Sequence, residues 1–138
     1  MRRWLGPRAG ASPDGGRLLA PAAGADTPEA VVDACDSDPE ALAIAKENAR
    51  LNDVADRISF RVGSVQESTA SADVVCANLT AEVIVRLLPV LLGATCGRLI
   101  LSGILETQLD EVIAALSAGG ITSEPEVVQD GEWVALII

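Results

Sequence analysis

Asp36 is the residue of this sequence best placed to do chemistry. It ends a short apolar run that opens at Val31-Val32, and Ser37-Asp38-Pro39-Glu40 follows at once. Those four residues carry dense helix-start signals. Asp38 can accept from the first free amides as N-cap, and Pro39 suits the first helical position because its missing N–H would be unpaired there anyway. Glu40 places charge at the positive end of the helix dipole. A strand that ends in a carboxylate and faces a helix start is where doubly wound α/β proteins hold a nucleotide ribose. The same residues also describe any buried strand followed by a capped surface helix, and alone they do not separate the two readings.

The elements that must position Asp36 can be read along the chain. From Pro39 to Leu51 the pattern is a helix, with Leu42, Ala45 and Ala49 on one stripe and Lys46, Glu47 and Arg50 on the wetter side. Ile58-Ser59-Phe60-Arg61-Val62 alternates, so it is expected as a strand with one wet face near a sheet edge. Residues 73–78, DVVCAN, form a short apolar run of the central parallel kind. Thr80 can cap a helix carrying Val83, Ile84, Leu87, Leu88 and Leu91, which Pro89 is expected to kink because it removes one backbone bond and crowds the carbonyl four residues earlier. Gly93 and Gly97 bracket a predicted turn before a buried strand at residues 98–103. A helix over residues 106–118 exits through Gly119-Gly120. Asp130-Gly131, between two β-like runs, signals a hairpin. Alternating strands and helices predict an α/β fold with a mostly parallel sheet, right-handed crossovers and a C-terminal antiparallel hairpin.

Composition narrows the functions such a fold could serve. With 138 residues, 49% apolar and 22% charged, the chain is expected to fold as one domain around a mainly aliphatic core. A net charge of −10 argues against a nucleic-acid backbone or an anionic membrane as partner and is compatible with a basic protein substrate. No apolar run reaches the roughly 20 residues needed to span a bilayer, and Arg2-Arg3 are not followed by the apolar stretch of a signal peptide. Cys35, Cys76 and Cys96 are odd in number and two of them fall in predicted buried strands, which fits reduced thiols in a cytoplasmic protein. With no histidine and no cysteine cluster, no metal site is expected.

Several blocks, in this order, resemble one known family. CDSDPEALAIAKENARLN, ADVVCANLTAEVI, GRLILSGILETQLDEV and GEWVALII are similar to the C-terminal catalytic domain of the bacterial methyltransferases that modify the eleventh protein of the large ribosomal subunit. The resemblance implies a Rossmann-like fold of the S-adenosylmethionine-dependent methyltransferases, S-adenosylmethionine as cofactor and a ribosomal protein as substrate, methylated on lysine or N-terminal amino groups. Carried over by position, it implies that Asp36 accepts from both ribose hydroxyls, a task suited to an acceptor-only carboxylate. Ser37 takes the place of an apolar side chain against the adenine, and Ser64 the place of an acid near the adenine amino group. Asn78, in the ANLTAE segment, would both contact the cofactor and position the reacting groups. Methyl transfer is an in-line displacement, so alignment and exclusion of water do most of the work.

The chain also departs from the family pattern. Related enzymes carry a glycine-rich loop of the form Asp-x-Gly-x-Gly-x-Gly about 20 residues before the ribose acid, and its glycines admit close backbone approach. Residues 17–24, RLLAPAAG, stand there instead, and no strand is evident before Gly15-Gly16. Residues 1–30 are therefore expected to be a poorly ordered or non-homologous segment, such as a truncated or shifted reading frame would produce. Residues 31–138 are expected to be a partial catalytic domain. On this reading the first strand and glycine loop are missing or degenerate, the neighbouring strands have open edges, and an oligomer or partner would have to cover them. Two other functions stay open: a catalytically inactive remnant or interaction domain of the same fold, and a nicotinamide-dinucleotide enzyme. The second is disfavoured by the absence of Gly-x-Gly-x-x-Gly.

Overall fold

A computed structural model of the protein describes residues 3–7 and 31–138. Seven strands form one sheet in the order β3-β2-β1-β4-β5-β7-β6. They are β1 (Arg3–Pro7), β2 (Val31–Asp36), β3 (Ile58–Val62), β4 (Ala72–Asn78), β5 (Thr95–Leu105), β6 (Glu126–Asp130) and β7 (Trp133–Ile137). The first five strands run parallel, and β7 is antiparallel to both β5 and β6. The α/β class, the mostly parallel sheet and the terminal hairpin are as the sequence predicts.

The expectation of a missing first strand is corrected. Arg3–Pro7 occupies the centre of the sheet, with all five residues in register with Val31 to Cys35 of β2 and with Trp4 and Leu5 opposite Val74 and Val75 of β4. An empty slot there would strand the inward N–H and C=O groups of two buried strands, so any short extended segment that fits is strongly favoured. The strand escapes sequence reading because Trp4-Leu5 is too short an apolar run and Gly6-Pro7 reads as a turn. The segment at residues 17–24, which stands where the family pattern has its glycine-rich loop, lies outside the described residues.

Among the described residues, three α-helices pack on the sheet. Helix α1 (Pro39–Leu51) starts as predicted, with Asp38 as N-cap accepting from the Glu40 amide at 2.8 Å. It buries Ala41, Leu42, Ala45 and Ala49, of which Ala49 joins a small core with Val32, Ala34, Val54 and Ile58. Helix α2 (Ala81–Gly93) runs unbroken through Pro89. Thr80 holds its N-cap backbone position, but the hydroxyl makes no capping bond. Helix α3 (Leu109–Ala118) follows a short 3₁₀ turn, and Gly120 leaves it at φ +92°.

The main core joins Ile84, Leu88 and Leu91 of α2, Val112 and Leu116 of α3, and the alternate residues Val75, Ala77, Leu99, Leu101, Val134 and Leu136 of β4, β5 and β7. Since Val32 and Ala34 point to α1 while Cys35 joins the main core, α1 lies on the opposite face of the sheet from α2 and α3. Edge strand β3 has the wet face expected of it.

Leu101 is fully buried at the centre of this packing. Leu101→Ala is expected to lower unfolding free energy by about 2–5 kcal/mol, read as a shift of the urea midpoint, while Val62→Ala on the exposed edge should shift it little.

Candidate functional site

Parallel pairing brings the carboxyl ends of β2, β3, β4 and β5 to one edge of the sheet, and the residues singled out in the sequence sit there. Asp36 ends β2 and lies opposite Val62 of β3. Its carbonyl accepts from the Gly63 amide at 2.8 Å, which ties the two strand ends together. Ser37 follows Asp36 and is exposed, and Ser64 follows Gly63 and is partly buried. Asn78 ends β4, across β1 from Asp36, and is partly buried opposite Ser102 of β5. The structure thus places Asp36, Ser37 and Ser64 together on one side of the central strand and Asn78 on the other.

Asp36 is the buried charged residue of the described chain, at 5% exposure. Its Oδ1 accepts from the Asp38 amide at 2.9 Å, but Oδ2 is buried with no hydrogen-bond partner among the described residues. A buried acceptor without a donor costs on the order of 1–3 kcal/mol, and such atoms are rare enough in native structures that each calls for a cause. The Asp38 amide holds one carboxylate oxygen and leaves the other without a donor. A vicinal diol supplies two, and one carboxylate oxygen has two lone pairs to meet them. The donor pair of a ribose diol suits the Asp36 carboxylate, whose Oδ2 has no exposed surface and must be uncovered for a diol to reach it.

The other strand end has features that the sequence did not single out. Gly103 has φ +83° and sits where the β5–β7 register shifts between Leu101 and Ile104, so β5 carries a bulge there. A Cβ on Gly103 would stand 2.8 Å from Asn78 Oδ1 and 2.7 Å from the Leu79 carbonyl oxygen. The Leu79 amide donates to the Ser102 carbonyl at 2.9 Å, which holds the turn after β4 against β5. Gly97, expected in a turn, lies inside β5, where its missing side chain admits the Asp73 carbonyl.

A cavity of about 430 Å³ opens elsewhere, lined by Asp33, Cys35, Ser59, Arg61, Ser68 and Thr69 among others. Asp33 and Cys35 alternate with the residues facing α1, so this hollow is on the other sheet face, and Asp36 does not line it. Among the described residues no group of three or more His, Cys, Asp or Glu is arranged to hold a metal ion.

The three thiols differ in setting: Cys35 and Cys76 are buried and Cys96 is exposed. Burial pushes the Cys35 thiol up, against a smaller downward pull from Arg61, while Asp36 and Asp33 add to the rise. The folded chain therefore keeps the Cys35 proton at pH values where the unfolded thiol, with its pKa of about 8.5, has lost it. Stability from this group is complete below that pH and declines above it. Urea midpoints measured from pH 7 to 10 should fall more steeply for the wild type than for Cys35→Ala. A thiol reagent should modify Cys96 first and reach the buried pair only on unfolding.

Comparison with known proteins agrees with this fold. Residues 15–138 match the family model described as Ribosomal protein L11 methyltransferase (PrmA). The chain is 39% identical over 107 residues to the ribosomal protein L11 methyltransferase of Heliobacterium modesticaldum, covering 75% of this chain and 34% of that protein. It is 36% identical over 106 residues to that of Pelobacter propionicus, with the same coverage of each. The chain thus spans about a third of the length of the curated relatives it matches. Among solved structures, the ribosomal protein L11 methylase of Lactobacillus delbrueckii subsp. bulgaricus superposes with a TM-score of 0.84 at 27% identity, over 99% of this chain and 68% of that one. An RNA methyltransferase from Salinibacter ruber, in complex with S-adenosyl-L-homocysteine, shares the fold with a TM-score of 0.70 at 20% identity, over 99% of this chain and 78% of that one. On the strength of the family match, this chain belongs to the ribosomal protein L11 methyltransferase (PrmA) family.

Proposed function

We propose that residues 31–138 are a partial catalytic domain of an S-adenosylmethionine-dependent protein methyltransferase, acting in the cytoplasm on lysine ε-amino or N-terminal amino groups of ribosomal protein L11. The observation that carries the proposal is the buried, unpartnered Oδ2 of Asp36 in a chain of this family. S-adenosylmethionine, when bound, supplies a methyl group on a sulfonium centre that a neutral amine can attack. The residues of this chain do the holding. Asp36 accepts from the ribose diol, and Ser37 and Ser64 flank the adenine. Asn78, with the carbonyls of the turn after it, orients the donor and the incoming amine. No general base is required once the amine is neutral, so positioning accounts for the rate. The net charge of −10 favours a basic protein partner over a nucleic acid.

Calorimetric titration with S-adenosylmethionine tests this directly. The wild type should bind, and Asp36→Ala should lose affinity on the order of 100-fold, the value of two hydrogen bonds to a charged group at about 1.5 kcal/mol each. Without cofactor the same substitution should change stability little. It removes a buried orphan acceptor at the cost of one bond to the Asp38 amide, and the two effects oppose each other. Absence of binding at millimolar cofactor would sink the proposal and leave the chain as a non-catalytic form of the fold. Mass spectrometry of ribosomal protein L11 incubated with chain and cofactor would show whether amino groups are methylated.

A further inference from the structure

We infer that Gly103 is a positioning residue for the Asn78 side chain, and that the β5 bulge exists to seat it. The inference rests on the reading of Asn78 given above and extends the site to a residue on the neighbouring strand. Asn78 ends β4 opposite Ser102, so the next residue of β5 faces the turn that follows β4. At Gly103 the strand bulges and takes φ +83°, a backbone conformation that L side chains rarely adopt. The bulge presses bare backbone against two polar acceptors, Asn78 Oδ1 and the Leu79 carbonyl oxygen. A methyl group on Gly103 would meet both below 3.0 Å, at 2.8 and 2.7 Å.

The two acceptors would not yield equally. The Leu79 carbonyl belongs to backbone pinned by the Leu79 amide's bond to Ser102. The Asn78 amide is the end of a short side chain with torsional freedom. It is therefore the group that a side chain at position 103 would displace, and Gly103 seats it by leaving that space open. Bulges often re-aim a side chain beside a functional site, and this one has the means to do so.

Gly120 provides the control. It has φ +92°, but a Cβ there would meet nothing within 4 Å. Gly120→Ala therefore imposes similar backbone strain without any overlap. The experiment compares Gly103→Ala, Gly120→Ala and Asn78→Ala in the full chain, with two readouts. The first is the side-chain amide resonance of Asn78, assigned by its loss in Asn78→Ala. The second is the affinity for S-adenosylmethionine by calorimetry.

Gly103→Ala should displace the Asn78 resonance while Gly120→Ala leaves it in place. Affinity should fall about 10-fold in Gly103→Ala, the size of one mis-set polar contact, and the double variant Asn78→Ala/Gly103→Ala should bind no more weakly than Asn78→Ala alone. A folded Gly103→Ala with the Asn78 resonance unmoved, or losses that multiply in the double variant, overturns the inference. Should Gly103→Ala not fold, the Asn78→Ala background decides. Recovered folding there supports the inference, and continued unfolding assigns Gly103 to backbone packing and overturns it. If Asn78→Ala leaves cofactor affinity unchanged, it is the Asn78 reading that fails, and the resonance still decides the role of Gly103.

Discussion

The sheet is continuous because a five-residue strand pairs on both of its sides. Arg3–Pro7 joins β2 and β3 on one flank to β4, β5, β7 and β6 on the other. Val32, Ala34, Ala49, Val54 and Ile58 pack in one cluster, while α2, α3 and the strands beneath them form the other, which Cys35 of β2 and Val65 also join. Backbone pairing through β1 and the shared core together make the two half-sheets one frame. The pairing is uneven, with five residues registered against β2 and two against β4. The joint that β1 makes with its two neighbours lies between Asp36 and Asn78.

That joint governs the site because the candidate groups stand at strand ends. Parallel strands expose their last carbonyls and amides at a common edge, and polar side chains there can be held by backbone bonds from the loops that follow. Asp36 shows how. The Gly63 amide fixes its carbonyl, and the Asp38 amide fixes one of its carboxylate oxygens. Both donors belong to turns whose geometry is set by the elements they join, one being the start of α1 and the other the exit from β3. A buried carboxylate with one oxygen lacking a donor would be costly anywhere else in this core.

Much of this arrangement can be read from residues whose signals are local. Helix α1 declares itself through Asp38, Pro39 and its alanine stripe, and β3 through strict alternation ending at Gly63. The hairpin follows from Asp130-Gly131, although the pairing of Asp130 with Trp133 puts Gly131 and Glu132 at the two-residue turn. What the sequence hides is non-local. Trp4-Leu5 followed by Gly6-Pro7 carries no strand signal, and its place in the sheet is decided by the vacancy between two other strands. Gly97 reads as punctuation, yet it lies within β5 because the Asp73 carbonyl needs the space a side chain would take. Gly103 is silent for the same reason: a glycine's partner is whatever approaches it, and only the fold names Asn78. The paired roles of Asp36 and Asn78 came from resemblance to the family and not from periodicity.

Under the proposed reading, the substitutions at the adenine positions shift the burden of recognition. Ser37 and Ser64 stand where related enzymes place a larger apolar surface and a charged acceptor. An exposed serine covers little of an adenine ring, and a hydroxyl accepts a hydrogen bond without the added strength of charge. Neither position can then contribute much discrimination between a nucleoside and water. The Asp36 oxygen differs in kind, because its unmet hydrogen bonds are a cost already present in the free chain and removed when donors arrive. Binding energy in this site is therefore concentrated on the ribose and on whatever the Asn78 turn holds. Both contacts are anchored in backbone geometry on either side of β1, so the fidelity of the site reduces to how firmly that short central strand keeps the two halves of the sheet in register.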